Sequence, residues 1–352
     1  VGVPEELATR LRALSEECAE IGSPFYARLC ELMAEDAEEG GPTLDVLGPT
    51  LAEPFDDYHA IRLLDGIHWI VLEGDAPELA PHYRSLGGDN DADAAWPHLR
   101  ALLADPPEHA IEALGHPPQT NEPARSAALI VGLLEVTART GLPLRLMELG
   151  SSAGLNLHVD RYRFEAGGRG VGPEDSGVRF VDHWLNGTPR FDAPFEIAGR
   201  AGCDLYPVDL RQPSERTRLL SYVWPDEGSR FALNRAAVEI ASADPVVIER
   251  APVDDWLDAQ LEGGLTDGVA TVVFHSLVWL YLPGETRARI RDRLEQVGRA
   301  ASGRSPLAWL RYEQESDHRG ACDLRLTLWP SGGDELLATG SHHDTPVTLF
   351  GG

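Results

Sequence analysis

One stretch limits the folds open to this chain: Leu144-Arg-Leu-Met-Glu-Leu-Gly-Ser-Ser-Ala-Gly-Leu-Asn156. It reads as a buried strand over Leu144–Leu149, a tight turn over Gly150–Gly154, and then the start of a helix. A strand that passes through a glycine turn into a helix is how α/β proteins build a nucleotide site. Gly150 is free to take positive φ in such a turn, and Gly154 lets the backbone approach a ligand. Glu148 would stand at the carboxyl end of the strand, where open parallel sheets bind ligands.

The spacing in the turn separates two cofactor classes. A dinucleotide fingerprint starting at Gly150 requires glycine at 152 and 155, where the chain has Ser152 and Leu155. The stretch instead resembles the first motif of class I S-adenosylmethionine-dependent methyltransferases, an acid followed by three alternating glycines. Glu148, Gly150 and Gly154 match it, and Ser152 replaces the middle glycine. Downstream, Gly202-Cys-Asp-Leu-Tyr-Pro207 resembles the same family's second-strand motif, with Asp204 as its acid. An aspartate there can accept both ribose hydroxyl protons of a nucleoside. Fifty residues separate Gly154 from Asp204, against about 20 in an undecorated unit, so an insert is expected near 161–195. Tyr162/Phe164 and Val178/Phe180 alternate there with arginines, which suggests a β-hairpin.

Periodicity supplies the rest. Residues 1–140 read as an all-helical lid or cap region, and 141–352 as the Rossmann-like domain. Leu7, Leu11, Leu14 and Cys18 form a helical stripe, and Ser23-Pro24 opens a second helix. The clearest helix is expected over 55–72. Asn121 is expected to cap the helix that feeds the central strand, leaving Asn121, Glu122 and Arg125 just upstream of the glycine turn. Further strands are expected at 195–203, 246–249, 269–274 and 306–312, then a hairpin around Ser331-Gly-Gly333 and a last strand at 347–350. Five βα units followed by antiparallel strands fit the class I methyltransferase topology, a seven-stranded, mostly parallel sheet with one reversed strand.

For the site, the methyltransferase resemblance implies that Glu148, Gly150, Ser152, Gly154, Asn156 and Asp204 hold S-adenosyl-L-methionine. It also implies an acid after the third strand, Asp254 or Asp255, on the adenine amine; capping of the helix around Trp256 is the alternative for both. His275, at the end of the fourth strand, is the candidate general base. Asn121, Glu122, Arg125, Ser276 and Trp279 are candidates for contact with a small-molecule acceptor. His342-His343-Asp344 lies in a loop with no further ligand nearby, so no metal site is expected. Cys18, Cys30, Cys203 and Cys322 form no C-x-x-C pair and read as reduced thiols of a cytoplasmic protein.

Charge limits the partners. The chain has 57 acidic residues against 30 basic ones, every one of the latter arginine, for a net charge of −27. Such an excess opposes a nucleic-acid partner. No apolar run approaches the length of a membrane span. A second resemblance covers most of the chain. Ser23-Pro-Phe-Tyr26, Gln119-Thr-Asn-Glu122, Val223-Trp-Pro-Asp226 and His275-Ser276 with Trp279 are similar to an uncharacterised bacterial family common in actinobacteria. Fold alone does not give function. The alternative to an enzyme is a non-catalytic protein of the same fold with a ligand-binding or regulatory role.

Overall fold

In chain order, helices α1 (Val3–Ile21), α2 (Pro24–Glu38), α3 (Pro42–Leu47), α4 (His59–Glu73), α5 (Ala92–Ala104) and α6 (Glu108–Leu114) come first. Helix α7 (Ser126–Thr140) leads into strand β1 (Leu144–Leu149), and a 3-10 segment, Leu155–Arg161, follows the turn. Strands β2 (Arg163–Ala166), β3 (Arg169–Val171), β4 (Arg179–Val181) and β5 (Trp184–Leu185) form the insert. Then come β6 (Ile197–Asp204), α8 (Pro213–Ser221), α9 (Gly228–Ala243), β7 (Ile248–Arg250), α10 (Val253–Leu261), β8 (Ala270–Ser276) and α11 (Gly284–Gly298). Strands β9 (Leu307–Glu313), β10 (Ala321–Trp329), β11 (Gly333–Ser341) and β12 (Val347–Leu349) close the chain. This computed structural model describes residues 2–52, 58–115, 119–314, 321–342 and 346–350. The expected start of the fourth helix at Phe55, and His343 and Asp344, lie outside the described residues.

The chain divides into two compact units, residues 1–120 with 212–235 and residues 121–211 with 236–352. The first is built from helices. The expected stripe of α1 is buried at Leu7, Leu11, Leu14 and Cys18, and Ser23 caps α2 by accepting from the Tyr26 amide. Two stretches far apart in sequence meet in this unit. Ser23 Oγ donates to Asp226 at 2.8 Å, and the Tyr26 and Trp224 rings lie 5.5 Å apart. Helix α8 was not legible because Pro213-Ser-Glu-Arg-Thr-Arg is almost wholly polar and Gln212 makes no side-chain cap.

The second unit carries a nine-stranded sheet in the order β5-β12-β11-β10-β9-β8-β1-β6-β7. Strands β7, β6, β1, β8 and β9 run parallel. Strands β10, β11 and β12 continue antiparallel, and β5 pairs parallel with β12. The sheet is therefore larger than the expected seven strands, and three of its strands, β10, β12 and β5, are reversed rather than one. The excess has two sources: a complete β10–β12 meander, and an edge strand donated by the insert. The insert also departs from a simple hairpin. Strand β2 pairs antiparallel with β3, whereas the predicted partners Phe164 and Phe180 lie on the parallel pair β2/β4.

Two faces follow from the register. Met147, Val273, Trp309 and Leu307 project into a core shared with Trp256 and Leu257 of α10 and Ile290 and Leu294 of α11. Side chains alternate along a strand, so Glu148, Phe274 and Leu310 face the other way. Helix α7 covers that side, with Gly132 seated directly on Leu310. Among the described residues no helix is long and apolar enough to cross a membrane, and all four cysteines are free and buried.

Candidate functional site

The parallel strands, numbered within their own set, run 3-2-1-4-5, and the order reverses between β1 and β8. Ligands of open α/β sheets bind outside the carboxyl ends of the strands at such a reversal. Glu148 and the glycine turn occupy that place.

The turn is built as the sequence suggested. Gly150 sits at φ +70° and Gly154 at φ +75°, and Ser152 adopts φ +50° although it is not glycine. A Cβ on Gly150 would lie 2.6 Å from Val278 Cγ2, so glycine is required there by contact as well as by conformation. The Gly150 and Ser151 amides both donate to the Cys203 carbonyl, at 3.0 and 2.9 Å, which ties the turn to the end of β6. Asp204, the last residue of β6, accepts from the Ser152 amide at 2.8 Å and from the Tyr206 amide at 2.9 Å. Its carboxylate is thus locked against the turn.

Glu148 is buried, and its Oε2 has no hydrogen-bond partner among the described residues. Burial pushes its carboxyl well above the ordinary range; Arg125 opposes that shift and Asp204 adds to it. Ser152 Oγ is likewise buried without a partner. Two polar atoms of this kind on one turn are costly unless something meets them, at about 1–3 kcal/mol each.

Around the turn, the polar residues just upstream form a scaffold. Asn121 does not cap α7. Its Oδ1 accepts from the Leu155 amide at 2.8 Å, across the turn. The capping role falls to Glu122, whose Oε1 accepts from the Ala124 amide at 3.1 Å and starts a 3-10 turn ahead of α7. Asn156 receives the Ser126 hydroxyl at 2.7 Å and donates to the Glu122 carbonyl at 3.4 Å. Arg125, buried, donates to the carbonyls of Ser276 and His342, both at 3.2 Å. Asn121, Glu122 and Asn156 therefore brace the segment that leaves the glycine turn, while Arg125 ties Ser276 at the end of β8 to His342.

His275 is placed differently. Glu148 is in register with Phe274, so His275, the next residue along β8, projects from the opposite face of the sheet. Both of its ring nitrogens are engaged. Nδ1 donates to Glu313 Oε1 at 2.5 Å, and Nε2 accepts the indole N–H of Trp309 at 3.1 Å. The Trp279 ring stacks on the imidazole at 4.8 Å and 12°. His275 is thus tied into the packing of β8 against β9, on the face opposite Glu148. Glu313 also accepts from the amides of Val278 and Trp279, at 3.1 and 3.2 Å. Between those residues and β8 lies Leu277 at φ +54°, a conformation that costs a branched side chain on the order of 1–3 kcal/mol.

Asp254 and Asp255 also lie apart from the turn's hydrogen-bond network. They occupy the first turn of α10, where Arg289 of α11 bridges them at 2.6 and 3.0 Å. Neither caps the helix: Pro252 holds the N-cap position and no side chain caps α10, so both acids sit inside its first turn. Sequence reasoning passed over Glu313 and Val278. Glu313 was visible only as an acid at the end of a strand, and Val278 as one more apolar residue in a run.

This geometry is that of an α/β protein with a glycine turn at the reversal point of its sheet. A family model described as "Uncharacterized protein conserved in bacteria (DUF2332)" matches residues 8–348, and the chain belongs to that family. No curated protein and no solved structure matches it.

Proposed function

We propose that this protein binds S-adenosyl-L-methionine at the β1 turn and transfers its methyl group to a small-molecule acceptor. The observation that carries this reading is Glu148: a buried carboxyl at the end of the central strand with an unpartnered oxygen, beside a positive-φ turn clamped by Asp204. The residues fit the group at three points. Glu148 would meet the ammonium of the methionine part, Ser152 Oγ would meet a polar atom of the same part, and Asp204 would accept from the ribose hydroxyls. Asp254 and Asp255 do not fit the adenine role, because Arg289 already holds them.

When bound, the cofactor supplies a sulfonium methyl, an electrophile that leaves the protein little covalent chemistry to do. The protein's share is orientation and exclusion of water. Asn121, Asn156 and Asp204 hold the turn at fixed shape, so its groups are in place before a ligand arrives. Burial raises the Glu148 carboxyl, and a cation meeting it would favour its ionised form. His275 has no step in this account.

A second reading, a non-catalytic ligand-binding or regulatory protein of the same fold, is favoured by one observation. The turn is covered by the chain's own side chains, Val278 on Gly150 and Ile248 Cδ1 at 2.9 Å from a Cβ on Gly154. The two readings separate on calorimetric titration with S-adenosylmethionine and S-adenosylhomocysteine, using Asp204→Ala and Gly150→Asp as controls. Binding lost in both variants supports the methyltransferase reading. Binding unaffected by either variant refutes it.

A further inference from the structure

We infer that Glu313 is a positioning residue for the proposed site: from β9 it holds residues 277–279 in a strained turn against Gly150, with His275 as its prop. The inference deepens the reading above and rests on it. Three N–H donors converge on one carboxylate, His275 Nδ1 at 2.5 Å, the Val278 amide at 3.1 Å and the Trp279 amide at 3.2 Å. Leu277 would leave φ +54° if nothing held it. A fourth bond, from its own amide to the Tyr312 carbonyl at 3.0 Å, comes from the same strand β9. The hold ends where it matters for a ligand. Val278 is pressed on Gly150, with Cγ2 at 2.6 Å from a Cβ built there. The wall beside the turn after β1 is thus set by a carboxylate two strands away.

His275 gives this carboxylate its direction. Its Nε2 accepts from Trp309 at 3.1 Å, which fixes the proton on Nδ1, and Trp279 stacks on its ring. A glutamine at 313 is no substitute. It has one acceptor oxygen, and its NH2 would have to face one of the three donors.

The test uses the full chain and S-adenosylhomocysteine as probe. Calorimetric affinity and hydrogen exchange of the Val278 and Trp279 amides are measured for wild type, Glu313→Gln, Leu277→Gly and the double variant. Glu313→Gln is expected to weaken binding at least about tenfold and to speed both amides by a similar factor. Glycine at 277 takes positive φ without strain, so the double variant is expected to recover at least about threefold of the lost affinity. A merely structural loss at Glu313 would not be repaired at residue 277. Unchanged exchange in Glu313→Gln, or no recovery in the double variant, overturns the inference. If wild type binds no S-adenosylhomocysteine, the methyltransferase reading fails, and the exchange arm alone still decides whether Glu313 holds the turn.

Discussion

Replacing Gly150 by alanine tests the geometry of the turn with a magnitude worked from the structure. At φ +70° an alanine costs about 1–2 kcal/mol in conformation. Its Cβ would also stand 2.6 Å from Val278 Cγ2 and 3.1 Å from Cγ1, an overpacking cost of about 1–3 kcal/mol. The more restricted unfolded chain returns roughly 0.4–1 kcal/mol. The net loss is about 1–5 kcal/mol. Gly141, which ends α7 at φ +68° with nothing within 4 Å of a Cβ, supplies the control, because Gly141→Ala carries the conformational cost alone, about 1 kcal/mol. Chemical denaturation followed by tryptophan fluorescence reads both. Adding Val278→Ala to Gly150→Ala removes the two methyls in contact and should return at least about 1 kcal/mol, a coupling that a double-mutant cycle isolates. Equal losses at 141 and 150, or no coupling with Val278, would refute the claim that Val278 rests on the turn.

Other predictions follow from charge and burial. The folded carboxyl of Glu148 is raised above its unfolded value of about 4.3. As pH rises past that value the unfolded chain ionises first, so the native state loses stability up to the raised folded pKa. Glu148→Gln should therefore stabilise the protein at pH 7, with an advantage that shrinks toward pH 4; denaturation midpoints at the two pH values check this, and a variant less stable at pH 7 contradicts it. If Glu148 meets an ammonium, binding releases a proton wherever the free carboxyl is protonated, and affinity for S-adenosylhomocysteine should rise with pH up to the raised folded pKa. Calorimetry in buffers of different ionisation enthalpy counts that proton. Asp255→Ala breaks only an exposed bridge to Arg289 and should leave affinity within about twofold, as expected of a surface pair. A larger loss would restore the adenine role to that position.

What the sequence made legible was local. The β1 strand, the glycine turn and the segment after it are encoded within Leu144–Asn156, and the hydrophobic run into Phe274 marks β8 wherever it pairs. Asp204 was readable because a glycine six-residue motif places it at a strand end. Contacts between distant residues were not. Asn121 resembled a helix cap, and only the fold brings the Leu155 amide to it. Asp254 and Asp255 could be read as ligand acids or as helix caps, and only the fold shows Arg289 of α11 beside them and Pro252 at the cap. His275 carries the right chemistry for a base, yet strand parity turns it to the face opposite Glu148, and Trp309 closes its free nitrogen. Nothing in the insert's alternating pattern distinguishes an antiparallel hairpin from a parallel pairing of β2 with β4, or foretells that β5 joins the main sheet.

The central claim is that the turn after β1 is a cofactor site, and titration of the purified protein with S-adenosylmethionine, S-adenosylhomocysteine and NADH tests it most directly. The account predicts micromolar binding of the first two, abolished by Asp204→Ala, and no binding of NADH. A folded protein that binds neither of the first two, or binds them equally well without Asp204, would contradict it.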